Sequence, residues 1–435
     1  MRPRALTGWL SRTGSSLAVR DYRLYFTGQS VSVAGTWMQT LALALLVLQL
    51  SGSGTDLGLV TALRLLPFLL LGPVGGVIAD RHDKRRLLYV TQSASACVAA
   101  AFAVLTAVHA ESVPLVMVLS LLLGCCTVLD NPARQSLIAD LVPREHLANA
   151  VTLNSVSMNL ARVLGSALGG ALVAGVGLTA CFAFNALSFG AVLLSLAMMR
   201  GEHTRPRTRP AREKGQVRAG LRYVRRTPAL ALPLMMLTVI GTLAYEFPVT
   251  LPLVARGAFH GGAAAYGAMA SVMGAGAVVG GLVAAGRRRS ARATSLSVAA
   301  TGWGVAILAA ALAPTFALEL AALVFVGYGA ITFNSLAKTS LQLASEPGMR
   351  GRVMALWALS WGGSTAVGGP LVGWIAQEVG SRWSLVAGGA PTLLLGLVML
   401  PALRGIDRGG AGPVPAPASS RPVAGSGNAE PSKQG

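Results

Sequence analysis

Along the chain, runs of about twenty mostly apolar residues alternate with short polar breaks, each run long enough to cross a hydrocarbon layer of roughly 30 Å at about 1.5 Å per helical residue. The pattern predicts spans at 24–50, 56–79, 87–108, 113–135, 147–173 and 180–199, then at 230–254, 264–286, 293–313, 316–340, 350–377 and 382–403. The runs lack the period-two alternation of a barrel wall, so they predict helices. The second set of six repeats the first. Gly72 to Gly276 is a step of 204 residues, and so is Gly165 to Gly369. Each opens a Gly-x-x-x-Gly pair, closed by Gly76, Gly280, Gly169 and Gly373 respectively. Small residues four apart let membrane helices meet backbone to backbone, so the repeat predicts helix-packing seams in an all-α membrane protein. Its expected form is twelve transmembrane helices in two pseudo-twofold-related six-helix bundles.

Composition excludes a soluble globule: 53% of residues are hydrophobic and only 12% charged, roughly half the charge fraction of soluble domains. The basic residues set an expected orientation. Of the 36 Lys and Arg, all but Arg64, Arg162, Arg256 and Arg382 fall on one side of the layer or at its helix ends, which predicts both termini in the cytoplasm of a multi-pass cell-membrane protein. The net charge of +20 is then topological. The arginines flank helix ends with little aromatic character between them, so contact with membrane lipid is expected and nucleic acid is not. The expected organisation is an N-terminal segment 1–23, a bundle at 24–199, an Arg-rich linker at 200–229, a second bundle at 230–403 and a disordered tail at 404–435. Met1 to Arg23 has no cleavable leader pattern. Cys97, Cys125, Cys126 and Cys181 all lie in spans without metal-ligand spacing, and no phosphate loop or His-Glu-x-x-His motif is present. Neither a metal, a cofactor, self-driven ATP hydrolysis nor an enzyme is expected. Two bundles with parallel repeats point to a transporter, expected to act as a monomer.

The sharpest motif joins the second and third spans: Gly76-Val-Ile-Ala-Asp80-Arg81-His-Asp83-Lys84-Arg85-Arg86. An acid at a helix mouth before a basic turn can pair with an arginine and hold one conformation until broken, although the same run also serves as an ordinary positive-inside loop. In the second half the basic turn recurs as Arg287-Arg288-Arg289, but Asp80 becomes Ala285, so any latch is one-sided. A second block, Asp130-Asn131-Pro132-Ala-Arg134, follows the fourth span, where Pro132 would kink or end the helix and Arg134 emerges within reach of Asp80. The loop spacing resembles the signature of the major facilitator superfamily. With Arg-Asp-Tyr-Arg-Leu-Tyr at 20–25 and Arg350-Gly351-Arg352, the second block is similar to the drug:proton antiporter branch that holds macrolide-efflux proteins and the enterobactin exporter. The resemblance covers nearly the whole chain. It implies a conformational latch of Asp80, Arg81, Arg85, Arg134, Arg350 and Arg352. Gly165-Ser166 departs from the branch's Gly-Pro signature, whereas Gly369-Pro370 keeps it.

Charges inside spans cost about 2.5–3.5 kcal/mol each at the bilayer centre, so they need a reason. The proton-coupling candidates are Glu246 first, Asp130 second, and Arg162; a static ion pair of Glu246 with Arg162 or Arg64 is the competing reading. The resemblance implies a chamber lined by the first, fourth, seventh and tenth spans. Its polar and aromatic candidates are Gln29, Ser32, Trp37, Gln39, Asn131, Tyr245, Thr332 and Asn334, with Trp37 equally able to serve packing alone. The expected function is secondary export of a drug-like or natural-product small molecule by proton antiport. An uptake carrier and a non-transporting membrane sensor of the same fold are the alternatives.

Overall fold

The computed structural model describes residues 15–200, 216–286, 292–346 and 348–409. The expected N-terminal segment up to 14, the linker at 201–215, the basic turn Arg287 to Arg289 and the tail from 410 lie outside the described residues. The first half forms α1 (Arg20–Leu50), α2 (Gly54–Arg81), α3 (Lys84–Ala107), α4 (Val113–Leu141), α5 (Arg144–Gly175) and α6 (Leu178–Met198). A short helix, α7 (Gln216–Arg226), precedes the second half: α8 (Pro228–Ala244), α9 (Phe247–Gly257), α10 (Ala263–Gly286), α11 (Thr294–Ala311), α12 (Phe316–Ala344), α13 (Arg350–Glu378) and α14 (Ser381–Gly409). Eleven helical segments are long and apolar enough to cross a membrane among the described residues, with α8 and α9 counted as one. The remaining expected span is α13, which has the length, at 29 residues. Arg350, Arg352 and the Ser360-to-Thr365 stretch dilute its apolarity, and its packing along α2 and α8 places it in the bundle.

Local chemistry sets the boundaries. Ser53, Asp83 and Thr315 cap α2, α3 and α12 by accepting the backbone N–H of Asp56, Arg86 and Leu318. The acid that follows the signature arginine is therefore a helix cap. Gly177 and Gly380 occupy matching turns of the two halves at φ +113° and +125°, a region L side chains rarely adopt. Large apolar side chains such as Leu187, Val176 and Leu312 remain exposed on the outer faces, as lipid-facing residues do, since hydrocarbon solvates them as well as a core would.

The halves are built alike. In the first, α2 packs on α4, α1 on α5 and α6, and α3 on α4 and α6; in the second, α10 packs on α12, α8 on α13 and α14, and α11 on α12 and α14. Two cross-seams, α2 with α13 and α5 with α10, join them and are themselves exchanged by the repeat. The contacts described between halves run from the face opposite the termini to about mid-membrane. Ser53 Oγ donates to Gln377 Oε1 (2.8 Å), Arg256 Nη1 to the Leu48 carbonyl (2.6 Å) and Ser271 Oγ to the Val163 carbonyl (3.2 Å). Deeper, Phe68 and Leu69 of α2 lie against Gly362 and Gly363 of α13.

Several expectations change. The seventh span is not continuous: the chain leaves the helix at Tyr245 and Glu246 and restarts at Phe247. Pro248 lacks the N–H that would bond the Ala244 carbonyl, and its ring clashes there, so the helix breaks one turn earlier. Pro132 neither ends α4 nor splits it. Its missing N–H leaves the Val128 carbonyl free, and that carbonyl faces Gly75 of α2. The packing glycine of α2 is accordingly Gly75: a side chain on Gly76 would meet nothing within 4 Å, and Gly72 meets only Phe68 of its own helix. Gly165 and Gly169 pack on Ala34, Trp37 and Met38 of α1, Gly276 and Gly280 on Val324 and Tyr328 of α12, and Gly369 and Gly373 across the halves on Gly58 and Gly54. Finally, α14 runs to Gly409, past the expected boundary at 403.

Candidate functional site

On the face carrying the termini, the signature loop ties helices of one half together. Lys84 pairs with Asp140 at the end of α4, and Arg85 Nη2 donates to the Ala197 carbonyl at the end of α6 (3.3 Å). Arg81 is exposed, and the side chain of Asp80 lies outside what is described. The Arg-Asp-Tyr motif does similar work at the start of α1: Asp21 accepts the Arg200 N–H (3.2 Å), and Tyr22 Oη donates to the Ala150 carbonyl of α5 (3.0 Å).

Asp130 sits between α3 and α4, where it accepts Gln92 Nε2 (2.6 Å) and Thr91 Oγ1 (3.3 Å), with Arg134 Nε 3.9 Å away. Arg134 also donates to Asn131 Oδ1 (2.5 Å), so Asn131 and Arg134 serve each other on one helix face. Arg350 is exposed at the start of α13, while Arg352 approaches Met349 Sδ (3.3 Å) and lies beside Gly220 of α7. In that corner Val224 of α7 is buried with Leu230, Leu341, Val353 and Leu356, so the linker helix is seated on the second half.

Deeper in the bundle, Glu246 occupies the break between α8 and α9. It is 1% exposed, and its one polar neighbour is the Thr365 side chain of α13, which makes no well-formed hydrogen bond to either carboxylate oxygen. A side chain on Gly368 would lie 3.0 Å from its Oε1, and one on Gly369 3.5 Å from its Oε2. Gly369 faces Gly58 of the other half, so the carboxylate stands directly behind the α2–α13 seam. The static ion pair is not found: no carboxylate lies within 4 Å of Arg64 or Arg162 among the described residues. Arg64 Nη1 instead donates to Thr40 Oγ1 (3.0 Å), and Arg162 donates to Asn159 Oδ1 (3.2 Å) with its guanidinium 5.8 Å from the Trp37 ring centre. Trp37 thus carries a cation on its face as well as packing against Gly165.

The other chamber candidates separate into two groups. Gln39 turns into α6 to accept from Asn185 and is 1% exposed, and Ser32 is equally enclosed. By contrast Gln29 Oε1, Thr332 Oγ1 and Asn334 Oδ1 are shielded with no partner. Tyr245 donates to the Ala330 carbonyl (2.7 Å) and centres an aromatic cluster, its ring 4.6 Å from Trp303 and 4.3 Å from Trp361. Sequence reasoning missed Trp357 and Trp361, whose spacing of four was the available signal, and Lys338, whose ammonium lies 5.1 Å from the Trp357 ring centre. It also missed Glu319 of α12, fully buried with both oxygens unpartnered and Arg382 as its charged neighbour.

A repeated helical bundle with a broken seventh span, glycine seams and unpaired charges at mid-membrane is the architecture of a major facilitator transporter. The chain belongs to the transmembrane secretion effector family, whose model matches residues 13–411. It is 28% identical over 217 residues to the uncharacterized MFS-type transporter YfiS of Bacillus subtilis, 49% of this chain and 51% of that one, so the chain matches about half the length of that relative. It is 26% identical to the multidrug efflux pump Tap of Mycolicibacterium fortuitum over 86% of this chain and 94% of that pump. To the enterobactin exporter EntS of Escherichia coli it is 24% identical over 87% of this chain and 91% of the exporter. The crystal structure of the peptide transporter POT with alafosfalin superposes with a TM-score of 0.73 at 13% identity, covering 89% of this chain and 95% of that one, a likeness of fold. The chain is that of a multi-pass membrane protein of this transporter family.

Proposed function

We propose that the protein is a secondary exporter, carrying a drug-like or natural-product small molecule out of the cell by alternating access in exchange for protons. The relatives Tap and EntS, matched over most of their length and named as efflux pump and exporter, support the direction. In this reading both termini are cytoplasmic, and the seam of Gly58 with Gly369 seals the extracellular face. The observation that carries the coupling is Glu246, buried without a balancing cation directly behind that seam. An ionised carboxylate so placed costs several kcal/mol, whereas the protonated acid costs far less. Closing the seam therefore requires a proton taken up from outside, and releasing that proton inward commits the cycle. One proton moving down about 100 mV supplies about 2.3 kcal/mol, enough for roughly a fiftyfold substrate gradient. Asp80, Arg81, Arg85, Arg134, Arg350 and Arg352 serve, in the same reading, as the latch for the state closed on the cytoplasmic side.

Proteoliposome efflux measured with and without an imposed pH gradient tests the coupling. Glu246→Gln, permanently neutral, is expected to keep the protein folded and to abolish the acceleration of efflux by the gradient. Efflux that responds to the gradient as in the wild type would remove Glu246 from the coupling step and pass it to Asp130 or Glu319.

A further inference from the structure

Arg64 and Arg162 lie on different helices, α2 and α5, yet both turn toward one turn of α1. Arg64 is anchored by Thr40 and Arg162 by Trp37, residues three apart and so on the same helix face. Their depths agree. Trp37 and Arg162 each lie thirteen residues from the end of their helix at the face opposite the termini, and Thr40 and Arg64 each lie ten, so the cations sit about 20 Å and 15 Å in at roughly 1.5 Å per residue. The anchors orient the guanidinium groups without neutralising them. Thr40 Oγ1 accepts from Arg64 and donates its own proton to the Thr36 carbonyl (2.8 Å), so its hydroxyl is committed. Arg162 uses one donor on Asn159, and its Nε is shielded with no partner. A guanidinium carries five N–H donors, and the protein engages one from each arginine. Both residues are half-buried.

We propose that this pair is the recognition site for a negatively charged substrate, an organic carboxylate bound by the free edges of Arg64 and Arg162. This names the substrate class of the exporter proposed above and rests on that reading for its role in transport. The chemistry fits the residue type: guanidinium is planar, always charged, and matches a carboxylate with two parallel hydrogen bonds. Trp37 and Thr40 are positioning residues, each holding one guanidinium against α1 while engaging none or one of its N–H donors. The site sets this substrate apart from the lipophilic cations that a chamber with unpaired carboxylates alone would favour. Neither Arg64 nor Arg162 has a carboxylate within 4 Å among the described residues.

The test uses the purified full-length protein in nanodiscs and equilibrium binding of three radiolabelled probes: salicylate, its neutral amide salicylamide, and the cation tetraphenylphosphonium. The expected result is saturable binding of salicylate in clear preference to the other two, weakened at least tenfold by Arg64→Gln or Arg162→Gln and lost in the double variant. Arg162→Lys, which keeps charge without the fork, should recover part of the affinity, and a cooperative melt of each variant shows that folding is intact. Salicylamide binding as well as salicylate, a folded double variant binding salicylate like the wild type, or a folded wild type binding no salicylate would each overturn the site. The two readings fail separately. Charge-selective, arginine-dependent binding without flux in proteoliposomes would overturn export and leave the anion site standing. Efflux of tetraphenylphosphonium indifferent to both arginines would overturn the site and leave export standing.

Discussion

Two intramembrane carboxylates, Asp130 and Glu246, look equivalent as letters and differ in what surrounds them. Asp130 accepts two side-chain hydrogen bonds and has Arg134 beside it, so its charge is matched where it stands and it binds α3 to α4. Glu246 has no cation within 4 Å among the described residues and only the Thr365 side chain as a polar neighbour, so in the proposed cycle it is the carboxylate whose charge is least matched where it stands. Replacing Asp130 by Asn removes a charge from the pair with Arg134 and weakens the bonds to Thr91 and Gln92. With interhelical hydrogen bonds in membranes averaging about 0.6 kcal/mol, the total loss is about 1–2 kcal/mol. The expectation for Asp130→Asn is a thermal midpoint lowered by a few degrees in detergent, with the pH-gradient dependence of efflux retained. Retained stability with lost gradient dependence would give Asp130 the coupling role instead.

Between helices, what counts is which face a small residue presents, and here spacing and contact diverge. Gly58 closes a further Gly-x-x-x-Gly pair opened by Gly54, outside the four singled out by the repeat, and a side chain there would collide with the Gly369 carbonyl, whereas Gly76 belongs to one of the four and faces nothing within 4 Å. Gly58→Leu should therefore hold the α2–α13 seam apart. It should shift spin labels at Thr55 and Gln377 to longer separations and reduce efflux at least tenfold. Gly76→Ala, measured the same way, should remain within about 0.5 kcal/mol of the wild type, as substitutions in open space usually do. The contrast explains what was legible in the sequence. Apolar runs report how many helices there are and roughly where they end, because the bilayer imposes length and hydrophobicity on each segment separately. The break before Phe247 was signalled by Pro248, a residue whose effect is local. Pairing Arg64 with Thr40 and Arg162 with Trp37 depends on the relative rotation of three helices, which no single segment encodes. The same holds for Gln39, whose turn toward Asn185 rather than a chamber is decided by α6.

At the scale of the molecule, the repeat makes two halves that meet across glycine-lined seams, and the proposed cycle needs them to move as units. The seam at the face opposite the termini is held by small-residue contact and a few hydrogen bonds, such as Ser53 to Gln377 at 2.8 Å, worth little individually against a driving force of about 2.3 kcal/mol per proton at 100 mV. Such a seam can open and close many times a second only if nothing covalent spans it. Cysteines at Ser53 and Gln377, in a chain with Cys97, Cys125, Cys126 and Cys181 replaced by Ala, should be joined by a short thiol cross-linker and stop efflux, and reducing the linker should restore it. Asp80→Asn complements this from the other side: if Asp80 latches the cytoplasmic closure, the variant should leave cross-linking at Ser53 and Gln377 easier than in the wild type, with turnover slowed. Efflux that continues with the pair fully joined would mean that the substrate leaves by a path other than this seam, and the rocking of two bundles about a shared chamber would fall with it.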